Sequence, residues 1–295
     1  MELCSYSFAD WWKSMRPFSL VSSALPALFG TILAGTRGIQ INWAVATVSV
    51  VTSVLLHLIA NLTNSLYDWL SGHDRPGSPQ IVPLLENATE GIDAIEHALR
   101  ILYLITSAAI VTFGALTSWV LMIYPVLGWI GGVYYTKPPI AYKHRGWGTA
   151  GVFLLMGLAA PAAAFQGQTG WIDIPTILAC VPMAALVTAI MLANEIRDRE
   201  IDQALGSITS VVLLGPTKGK HLYMGCLLIA YGAVIFNVTK GFLPSACLLV
   251  LCSLPHLRRL YKHLALDKLT NLDKATAQFY GWFCILYLLT LIWAN

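Results

Sequence analysis

Charged residues are scarce in this sequence. Asp, Glu, Lys and Arg together make up 11% of its 295 residues, whereas a soluble domain usually carries about 25%. Hydrophobic residues make up 57%, and the mean hydropathy is +0.66. This composition excludes an ordinary soluble globular domain and indicates an integral membrane protein. We therefore expect membrane lipid around it and no nucleic acid among its partners, whereas the composition says nothing about protein partners.

The sequence also lacks an organised cysteine pattern. Its six cysteines are scattered, and they form no pair of C-x-x-C motifs. Most of them lie in apolar runs, where cysteine behaves as a small hydrophobic residue. We therefore expect neither a disulfide framework nor a zinc site.

The N-terminus does not have the pattern of a cleavable signal peptide. Its first sixteen residues are mixed in character and include Trp11, Trp12, Lys13 and Arg16. We expect the segment 1–17 to lie at the membrane surface as a short helix, ahead of an apolar run that is long enough to span.

Long apolar runs dominate the rest of the chain. A membrane-spanning helix needs about 20 apolar residues, and nine runs qualify, although the third and fourth nearly touch and the eighth is short. They are 18–36, 42–66, 98–117, 119–136, 149–167, 174–194, 221–239, 242–257 and 277–294. These runs predict an all-α, polytopic membrane helix bundle that forms one domain over residues 1–295.

The basic residues are distributed unevenly between the two sides that nine spans define. Cytoplasmic loops of membrane proteins carry an excess of Lys and Arg. Of the 18 basic residues, only Arg37 and Lys240 fall on the side opposite the N-terminus. The others are Lys13, Arg16, Arg75, Arg100, Lys137, Lys143, Arg145, Arg197, Arg199, Lys218, Lys220, Arg258, Arg259, Lys262, Lys268 and Lys274. This asymmetry supports nine spans with a cytoplasmic N-terminus, and it places the two longest loops, about 67–97 and 195–220, on the cytoplasmic side.

A first polar cluster follows the second apolar run. At 100° per residue, Asn61, Asn64, Ser65 and Asp68 share one helical face. Asp74 follows in the adjoining loop.

A second polar cluster occurs four spans later. Asn194, Asp198 and Asp202 recur every four residues and form one stripe, with Arg197 beside them. Their helix continues the apolar run 174–193, so both clusters are expected at the cytoplasmic ends of their spans.

Two stripes of carboxylates beside a bilayer core need a physical reason, because charge there is costly. Facing carboxylates repel each other unless a cation lies between them. Hard oxygen ligands suit Mg²⁺, which commonly joins carboxylates to phosphate oxygens. The two clusters therefore predict Mg²⁺-assisted chemistry on a diphosphate.

A third segment, at the cytoplasmic end of the fourth run, supplies positive charge. It contains Tyr135, Lys137, Lys143 and Arg145, and Lys and Arg are natural partners of diphosphate oxygens. Two histidines, His73 and His144, are near these clusters in the sequence. A role as ligand or base is open to them, but we expect solvated loop positions.

The combined motifs resemble the UbiA-type intramembrane prenyltransferases, most closely the branch that prenylates 1,4-dihydroxy-2-naphthoate in menaquinone biosynthesis. The resemblance extends over most of the chain and is least distinctive from about residue 221 onward. The motifs are Met15-Arg16-Pro17, Asn61-x-x-Asn64-x-x-x-Asp68-x-x-x-Gly72-x-Asp74, Tyr135-Thr-Lys137-Pro-Pro with Lys143-x-Arg145-Gly-x-Gly148, and Asn194-x-x-x-Asp198-x-x-x-Asp202 with Gly206.

Four positions depart from the family's pattern. Ser65 stands where relatives usually have Asp, Gln80 where they often have Arg, Thr149 where acid is common, and Ser207 where they tend to have Lys. These changes remove negative and positive charge from the motifs. They are compatible with altered metal affinity, a different substrate or an inactive paralogue.

The resemblance implies a bundle of nine transmembrane helices around a central cavity that opens to the cytoplasmic side. It implies transfer of a prenyl group from a polyprenyl diphosphate to an aromatic acceptor, with loss of the acceptor's carboxyl group as CO₂ when that acceptor is the naphthoate. The implied Mg²⁺ ligands are Asn64, Asp68, Asp74, Asn194, Asp198 and Asp202. The implied substrate contacts are Asn61, Asn64, Tyr135, Lys137, Lys143, Arg145 and Arg197, and the implied catalytic residues are Asp68, Asp198, Lys137 and Arg145.

Other functions remain open on the sequence. A secondary transporter also carries intramembrane carboxylates, but they are expected near the bilayer midplane rather than at one face. A non-catalytic binding paralogue would account for Ser65 and Gln80. Within the enzyme class, 4-hydroxybenzoate, homogentisate, a glycerol phosphate lipid or a chlorophyll-like macrocycle are alternative acceptors, and prenyl length is undetermined. We expect the cytoplasmic membrane of a bacterium or archaeon, with the active site on the cytoplasmic side.

Overall fold

The computed structural model describes residues 6–75, 81–266 and 269–293, and these are helical with short connections. The α-helices are α1 (Phe8–Ser14), α2 (Pro17–Gly35), α3 (Trp43–Leu70), α4 (Ala88–Leu116), α5 (Ile123–Val133), α6 (Gly148–Val152), α7 (Ala160–Thr169), α8 (Ile174–Ala204), α9 (Ser210–Leu214), α10 (Pro216–Thr239), α11 (Leu254–Ala265) and α12 (Leu272–Trp293). A π-helical stretch, Phe153–Ala159, joins α6 to α7. Short 3₁₀ helices are Pro83–Leu85, Trp119–Met122, Tyr142–His144, Ser245–Ser253 and Leu269–Asn271. Within the described ranges there is no β-strand, only an isolated bridge between Arg145 and Ile208, so the predicted all-α fold class is confirmed.

Among the described residues, seven helices are long and apolar enough to cross a membrane, and they coincide with seven of the predicted spans. The other two predicted spans have a different form. The fourth is a shorter apolar helix, Trp119–Val133. The eighth consists of the 3₁₀ helix Ser245–Ser253 followed directly by α11, whose exposed face is strongly basic. The chain is an integral membrane protein, and the count of nine spans stays a prediction.

The helices that carry the polar clusters are longer than their apolar runs. Helix α3 has 28 residues and α8 has 31, which correspond to lengths of about 42 and 46 Å at 1.5 Å per residue. Both exceed the roughly 30 Å of a bilayer core. Their last turns, which carry Asp68 and Asp202, can therefore extend past the core while remaining helical.

A tight core joins the second half of the chain to α2. Phe29 on α2, Phe165 on α7, Tyr223 on α10 and Tyr287 on α12 are buried around α8. Small residues permit the closest contacts: a Cβ added at Gly30 would lie 2.0 Å from the carbonyl oxygen of Pro161. This packing fixes α8, and with it the second polar cluster, relative to α2.

Helices α3 and α4 form a second core with the 3₁₀ helix Pro83–Leu85. Ile59, Leu62 and Leu66 on α3 pack with Leu84 and Ile95. These residues occupy one face of α3, which leaves the face with Asn64 and Asp68 toward the interior of the bundle.

The N-terminal segment is helical from Phe8. Ser7 and Asp10 form a reciprocal capping box at its start, and the rings of Phe8 and Trp12 stack on each other while remaining exposed. Residues 1–5 of the predicted interfacial segment 1–17 lie outside the described residues. A location at the membrane surface stays a prediction.

Candidate functional site

A cavity of about 640 Å³ extends into the bundle between α2, α3, α5, α8 and the π-helical stretch. Its lining changes character along the helices. Near the C-terminal ends of α3 and α8 the lining is polar and charged, whereas farther into the bundle Leu56, Gly128, Gly132, Leu155 and Ile190 contribute apolar surface. One compartment thus combines a charged end with an apolar interior.

Ten of the twelve predicted site residues line this cavity. They are Asn61, Asn64, Asp68, Asp74, Tyr135, Lys143, Asn194, Arg197, Asp198 and Asp202. The two clusters, 126 positions apart between Asp68 and Asn194, therefore belong to one site. The spacing of the polar residues along each helix and the expected common membrane side predicted that the two clusters would face each other.

Lys137 and Arg145 are not among the cavity's lining residues. The Lys137 ammonium lies 5.9 Å from the centroid of the Tyr67 ring, and Arg145 donates a hydrogen bond from Nη2 to the carbonyl oxygen of Pro139 at 2.6 Å. The predicted contact of these two cations with substrate has no geometric support here. It stays a prediction, and Lys143 is the cation from this segment that lines the cavity.

The first cluster is centred on Asp68. Asn64 donates from Nδ2 to Asp68 Oδ2 at 2.8 Å, and the Lys143 ammonium donates to the same oxygen at 2.9 Å and to Asn64 Oδ1 at 3.2 Å. Asp68 Oδ1 is buried and has no hydrogen-bond partner. The carboxylate is thus held by one oxygen while the other is left without a donor.

The second cluster is held by Arg197. Its Nε and Nη2 each donate to a different oxygen of Asp198 at 2.7 Å, and its Nη1 lies 2.6 Å from Asp273 Oδ2 on α12. Only 12% of the Arg197 side chain is exposed. The guanidinium therefore fixes Asp198 and ties α8 to the start of the last helix.

His73 and His144 lie between the two clusters, and the expectation of solvated loop positions is wrong. Their side chains are only 11% and 16% exposed, and their ring centroids are 4.6 Å apart. Ser207 Oγ lies 2.6 Å from His73 Nε2 and 3.0 Å from His144 Nδ1. The sequence could not show this arrangement, because Ser207 is far from both histidines along the chain.

Burial and neighbouring charge shift the pKa values of the loop residues around the cavity. Burial lowers the pKa of His73 to about 4, so the ring is neutral at pH 7. Burial raises the pKa of Asp74, and the Asp68 carboxylate raises it further. Burial alone would lower the pKa of Lys143, but the adjacent Asp68 carboxylate raises it above its usual value. Lys143 therefore stays charged at neutral pH.

The positions that depart from the family pattern have distinct surroundings. Ser65 is fully buried, its hydroxyl has no partner, and it does not line the cavity. Thr149 Oγ1 is within hydrogen-bond distance of Ser210 Oγ, at 2.7 Å, and Ser207 joins the two histidines. Gln80 lies outside the described residues.

Several cavity residues were missed from the sequence. Lys13, Arg16, Glu195, Asp273 and Lys274 also line it. Arg16 has a left-handed backbone conformation, with φ of 53°, which is uncommon for a residue other than glycine. Two sequence features could have identified some of these residues: the Arg16-Pro17 motif, and the Asp273-Lys274 pair that precedes the last apolar run.

The residues of the charged end fit a divalent cation. Asp68 offers a buried oxygen that lacks a donor, and Asp74, Asp198 and Asp202 line the same cavity. Carboxylate and amide oxygens are ligands that Mg²⁺ accepts. A cation bound there would lie between the carboxylates of the two clusters and reduce their mutual repulsion.

The sequence matches a known family and several curated proteins. The model of the UbiA prenyltransferase family matches residues 23–293. Among curated proteins, "1,4-dihydroxy-2-naphthoate octaprenyltransferase" of Bacillus subtilis (strain 168) is 27% identical, covering 83% of this chain and 78% of that protein. "UbiA prenyltransferase domain-containing protein 1" of Dictyostelium discoideum is 28% identical, covering 89% of this chain and 81% of that protein.

Solved structures show the same fold at low sequence identity. A UbiA homolog from Archaeoglobus fulgidus has a TM-score of 0.70 at 15% identity, covering 97% of this chain and 98% of that one. The structure of a UbiA homolog from the same organism bound to GPP and Mg²⁺ has a TM-score of 0.65 at 16% identity, covering 97% and 99%.

Proposed function

The chain belongs to the UbiA prenyltransferase family and is a prenyltransferase, and on that basis we propose that it transfers the prenyl group of a polyprenyl diphosphate to 1,4-dihydroxy-2-naphthoate with Mg²⁺ as its cation. The observation that carries this proposal is the single cavity in which both acidic clusters meet an apolar interior. A prenyl diphosphate carries a charged diphosphate and a hydrocarbon chain in one molecule. Its binding site must therefore be polar at one end and apolar at the other.

The charged end is suited to hold the diphosphate. Asp68 with Asn64 and Asp74, and Asp198 with Asn194 and Asp202, would hold the divalent cations. When bound, such cations neutralise the charge that develops on the leaving diphosphate. This use of a divalent cation is consistent with the relative that is bound to GPP and Mg²⁺.

The chain's own residues position the diphosphate and complete its charge balance. Lys143 is a cation beside Asp68 and would turn toward the diphosphate oxygens, to which ammonium groups bind well. Arg197 keeps the Asp198 carboxylate in a fixed orientation through two hydrogen bonds. Electrostatic preorganisation of this kind lowers the barrier because the dipoles need no rearrangement during the reaction.

The apolar interior is suited to the prenyl chain and the acceptor. Leu56, Leu155 and Met156 line it and would keep water from the allylic cation that forms when the carbon–oxygen bond breaks. The acceptor carbon then forms the new carbon–carbon bond and releases its carboxylate as CO₂. Arg16 and Lys13, at the same cavity, offer positive charge for an acceptor carboxylate.

The choice of acceptor is supported by the motifs and by the Bacillus subtilis relative whose name specifies 1,4-dihydroxy-2-naphthoate. We also place the charged end of the cavity on the cytoplasmic side, because the loops there carry most of the basic residues. A bacterial or archaeal origin stays a prediction, since the relatives include eukaryotic proteins.

The proposal is tested with membranes that contain the full chain. They are incubated with prenyl diphosphates of several lengths and with 1,4-dihydroxy-2-naphthoate, 4-hydroxybenzoate, homogentisate and a glycerol phosphate lipid, and products are identified by mass spectrometry. We expect a prenylated, decarboxylated naphthoate product that disappears with a chelator and returns with Mg²⁺. A product with a different acceptor alone would overturn the naphthoate assignment.

Matched variants test the cation ligands in the same assay. Asp68→Asn and Asp198→Asn should each lower turnover about 100-fold or more, the range seen when one electrostatic group of an active site is removed. Asp93→Asn, which changes an exposed acid on α4, should leave turnover unchanged. Full turnover in both cavity variants would contradict the assignment of these carboxylates as metal ligands.

A further inference from the structure

His57 is the one histidine on α3, a helix that is long and apolar enough to cross the membrane. A titratable ring in such a segment is costly, and it usually has a function or a defined partner. The His57 side chain lines the cavity, and it shares the helical face of Asn61 and Asp68. The transfer reaction proposed above gives this histidine no part.

The hydrogen bonding of the His57 ring is incomplete. Ser19 Oγ lies 3.4 Å from His57 Nε2, which exceeds the usual upper limit of about 3.2 Å for a hydrogen bond of this kind. Nδ1 is buried and has no hydrogen-bond partner among the described residues. A group that enters the cavity and approaches Nε2 more closely would therefore replace a weak contact with a better one.

The hydrogen bonds of Ser19 show which role Nε2 has. Ser19 Oγ lies 2.8 Å from the carbonyl oxygen of Arg16, and because a carbonyl only accepts, Ser19 donates its single hydrogen there. Asn61 Nδ2 donates to Ser19 Oγ at 3.0 Å and to the carbonyl oxygen of Met15 at 3.1 Å. Ser19 thus has no hydrogen left for the imidazole, so Nε2 carries the ring hydrogen and is a donor.

This donor lies far from the charged end of the cavity. His57 comes 11 residues before Asp68, which corresponds to about 16 Å along the helix axis. A prenyl chain could pass the ring but has no oxygen to accept its hydrogen, and the diphosphate is assigned to the opposite end. The ligand that suits the donor is therefore the second substrate, the aromatic acceptor.

Arg16 lies next to the same part of the wall. Its carbonyl oxygen accepts from Ser19, and its side chain lines the cavity, where a guanidinium can bind a carboxylate. In 1,4-dihydroxy-2-naphthoate the 1-hydroxyl is adjacent to the carboxylate and hydrogen-bonds to it within the molecule. The 4-hydroxyl has no such internal partner, so it needs one from the protein.

We propose that His57 Nε2 donates a hydrogen bond to the 4-hydroxyl oxygen of the acceptor and makes the enzyme selective for acceptors that carry this oxygen. The inference rests on the proposed function, because it takes the naphthoate as the acceptor. With Arg16 on the carboxylate and His57 on the 4-hydroxyl, the ring is held at two points. An acceptor without the 4-hydroxyl leaves the donor against a hydrocarbon edge, which weakens binding.

The test measures binding of the acceptor alone, by equilibrium dialysis of the purified full chain in detergent without oxygen. Mg²⁺ and inorganic diphosphate take the place of the prenyl donor, so no turnover occurs. The ligands are 1,4-dihydroxy-2-naphthoate and 1-hydroxy-2-naphthoate, which differ only in the 4-hydroxyl. We expect the wild type to bind the dihydroxy compound at least about tenfold more tightly, because its loss leaves a buried donor unpaired.

Variants of His57 assign this preference to the ring. His57→Phe keeps an aromatic side chain without the donor and should bind both compounds equally, at the weaker affinity. His57→Gln keeps an N–H donor and should recover part of the preference. His221→Phe, at an exposed histidine on α10, should bind both compounds as the wild type does, and thermal unfolding confirms that each variant is folded.

The inference is overturned if the wild type binds the two naphthoates equally, or if folded His57→Phe keeps the wild-type preference. Prenyl transfer to 1,4-dihydroxy-2-naphthoate is measured separately. Normal transfer together with an unchanged preference in His57→Phe would overturn the role of His57 alone. A preference that depends on His57, without transfer of any prenyl group, would overturn the proposed function alone.

Discussion

The Lys143 ammonium lies 2.9 Å from Asp68 Oδ2, and only 14% of the lysine side chain is exposed. The contact joins the 3₁₀ helix Tyr142–His144 to the last turns of α3. It also distinguishes Lys143 from Lys137, which lies over the Tyr67 ring and does not line the cavity. The two lysines come from the same basic segment, and only one of them contacts an acidic cluster.

This difference predicts unequal effects of removing the two lysines. Lys143→Met should lower turnover by about 100-fold, since the cavity loses the cation nearest to Asp68 and the expected diphosphate. Lys137→Met should change turnover by less than about threefold, because this partly buried cation does not line the cavity. Initial rates at several prenyl diphosphate concentrations, measured in the same membranes, provide the comparison.

Expression levels and thermal unfolding in detergent are the controls for this pair. A folded Lys143→Met protein with wild-type kinetics would contradict the prediction. A larger loss in Lys137→Met than in Lys143→Met would show that the segment rearranges when substrate binds.

Much of this site was predictable because helical geometry is regular. The spacing of Asn64 and Asp68 and of Asn194, Asp198 and Asp202 determines their faces, and apolar runs determine which helix ends meet. The His73–Ser207–His144 contact was not predictable, since it depends on how two loops fold against each other. Loop conformation is set by individual hydrogen bonds rather than by a repeating pattern of residues in the sequence.

The predicted spans differ from the structure for a related reason. The apolar runs marked where a bilayer core would be, but α4 starts at Ala88 and α8 continues to Ala204, well beyond the predicted limits of 98 and 194. Helices continue through polar sequence as long as the backbone hydrogen bonds persist. Hydropathy therefore predicts where a helix crosses the bilayer core, but it does not predict where the helix ends.

Arg197 should contribute more to stability than an ordinary surface ion pair. Because it contacts both Asp198 and Asp273 with little exposure, a double-mutant cycle between Arg197→Met and Asp273→Asn should show a coupling energy of about 1 to 3 kcal/mol. The measurement is reversible unfolding in mixed micelles of detergent and SDS. Arg197→Lys should recover only part of the loss, because an ammonium cannot bridge two carboxylates as a planar guanidinium does.

The exposed pair Arg100 and Glu96 is the matched control. These side chains are 74% and 49% exposed and lie four residues apart on α4, so their cycle should give no more than about 0.5 kcal/mol. Equal coupling energies in the two cycles would mean that burial of Arg197 adds nothing to its ion pairs.

The contact between α2 and α7 depends on the absence of a side chain at Gly30. An added Cβ would lie 2.0 Å from the Pro161 carbonyl oxygen, so Gly30→Ala must separate the two helices and should lower the melting temperature in detergent. Gly232→Ala is the control, since nothing lies within 4 Å of a Cβ there. This exposed position within α10 should gain about 0.5 to 1 kcal/mol from the better helix former. A Gly30→Ala protein as stable as the wild type would contradict the tight crossing.

Ser65 offers a direct test of whether an acid at this position of the first polar cluster would act as a metal ligand. The side chain is fully buried, its hydroxyl has no partner, and it does not line the cavity. Replacing Ser65 with alanine removes an unsatisfied polar group and should change the free energy of unfolding by less than about 1 kcal/mol.

Replacing Ser65 with Asp should not restore a metal ligand, because the new carboxylate would be buried without a donor. We expect a loss of about 3 kcal/mol in unfolding free energy and no gain in Mg²⁺ affinity. The two variants are compared by SDS unfolding and by the Mg²⁺ concentration that gives half-maximal turnover. If Ser65→Asp bound Mg²⁺ more tightly at unchanged stability, this face of α3 would have to turn toward the cavity during the reaction. The missing acid would then be a change in the metal site rather than a consequence of packing.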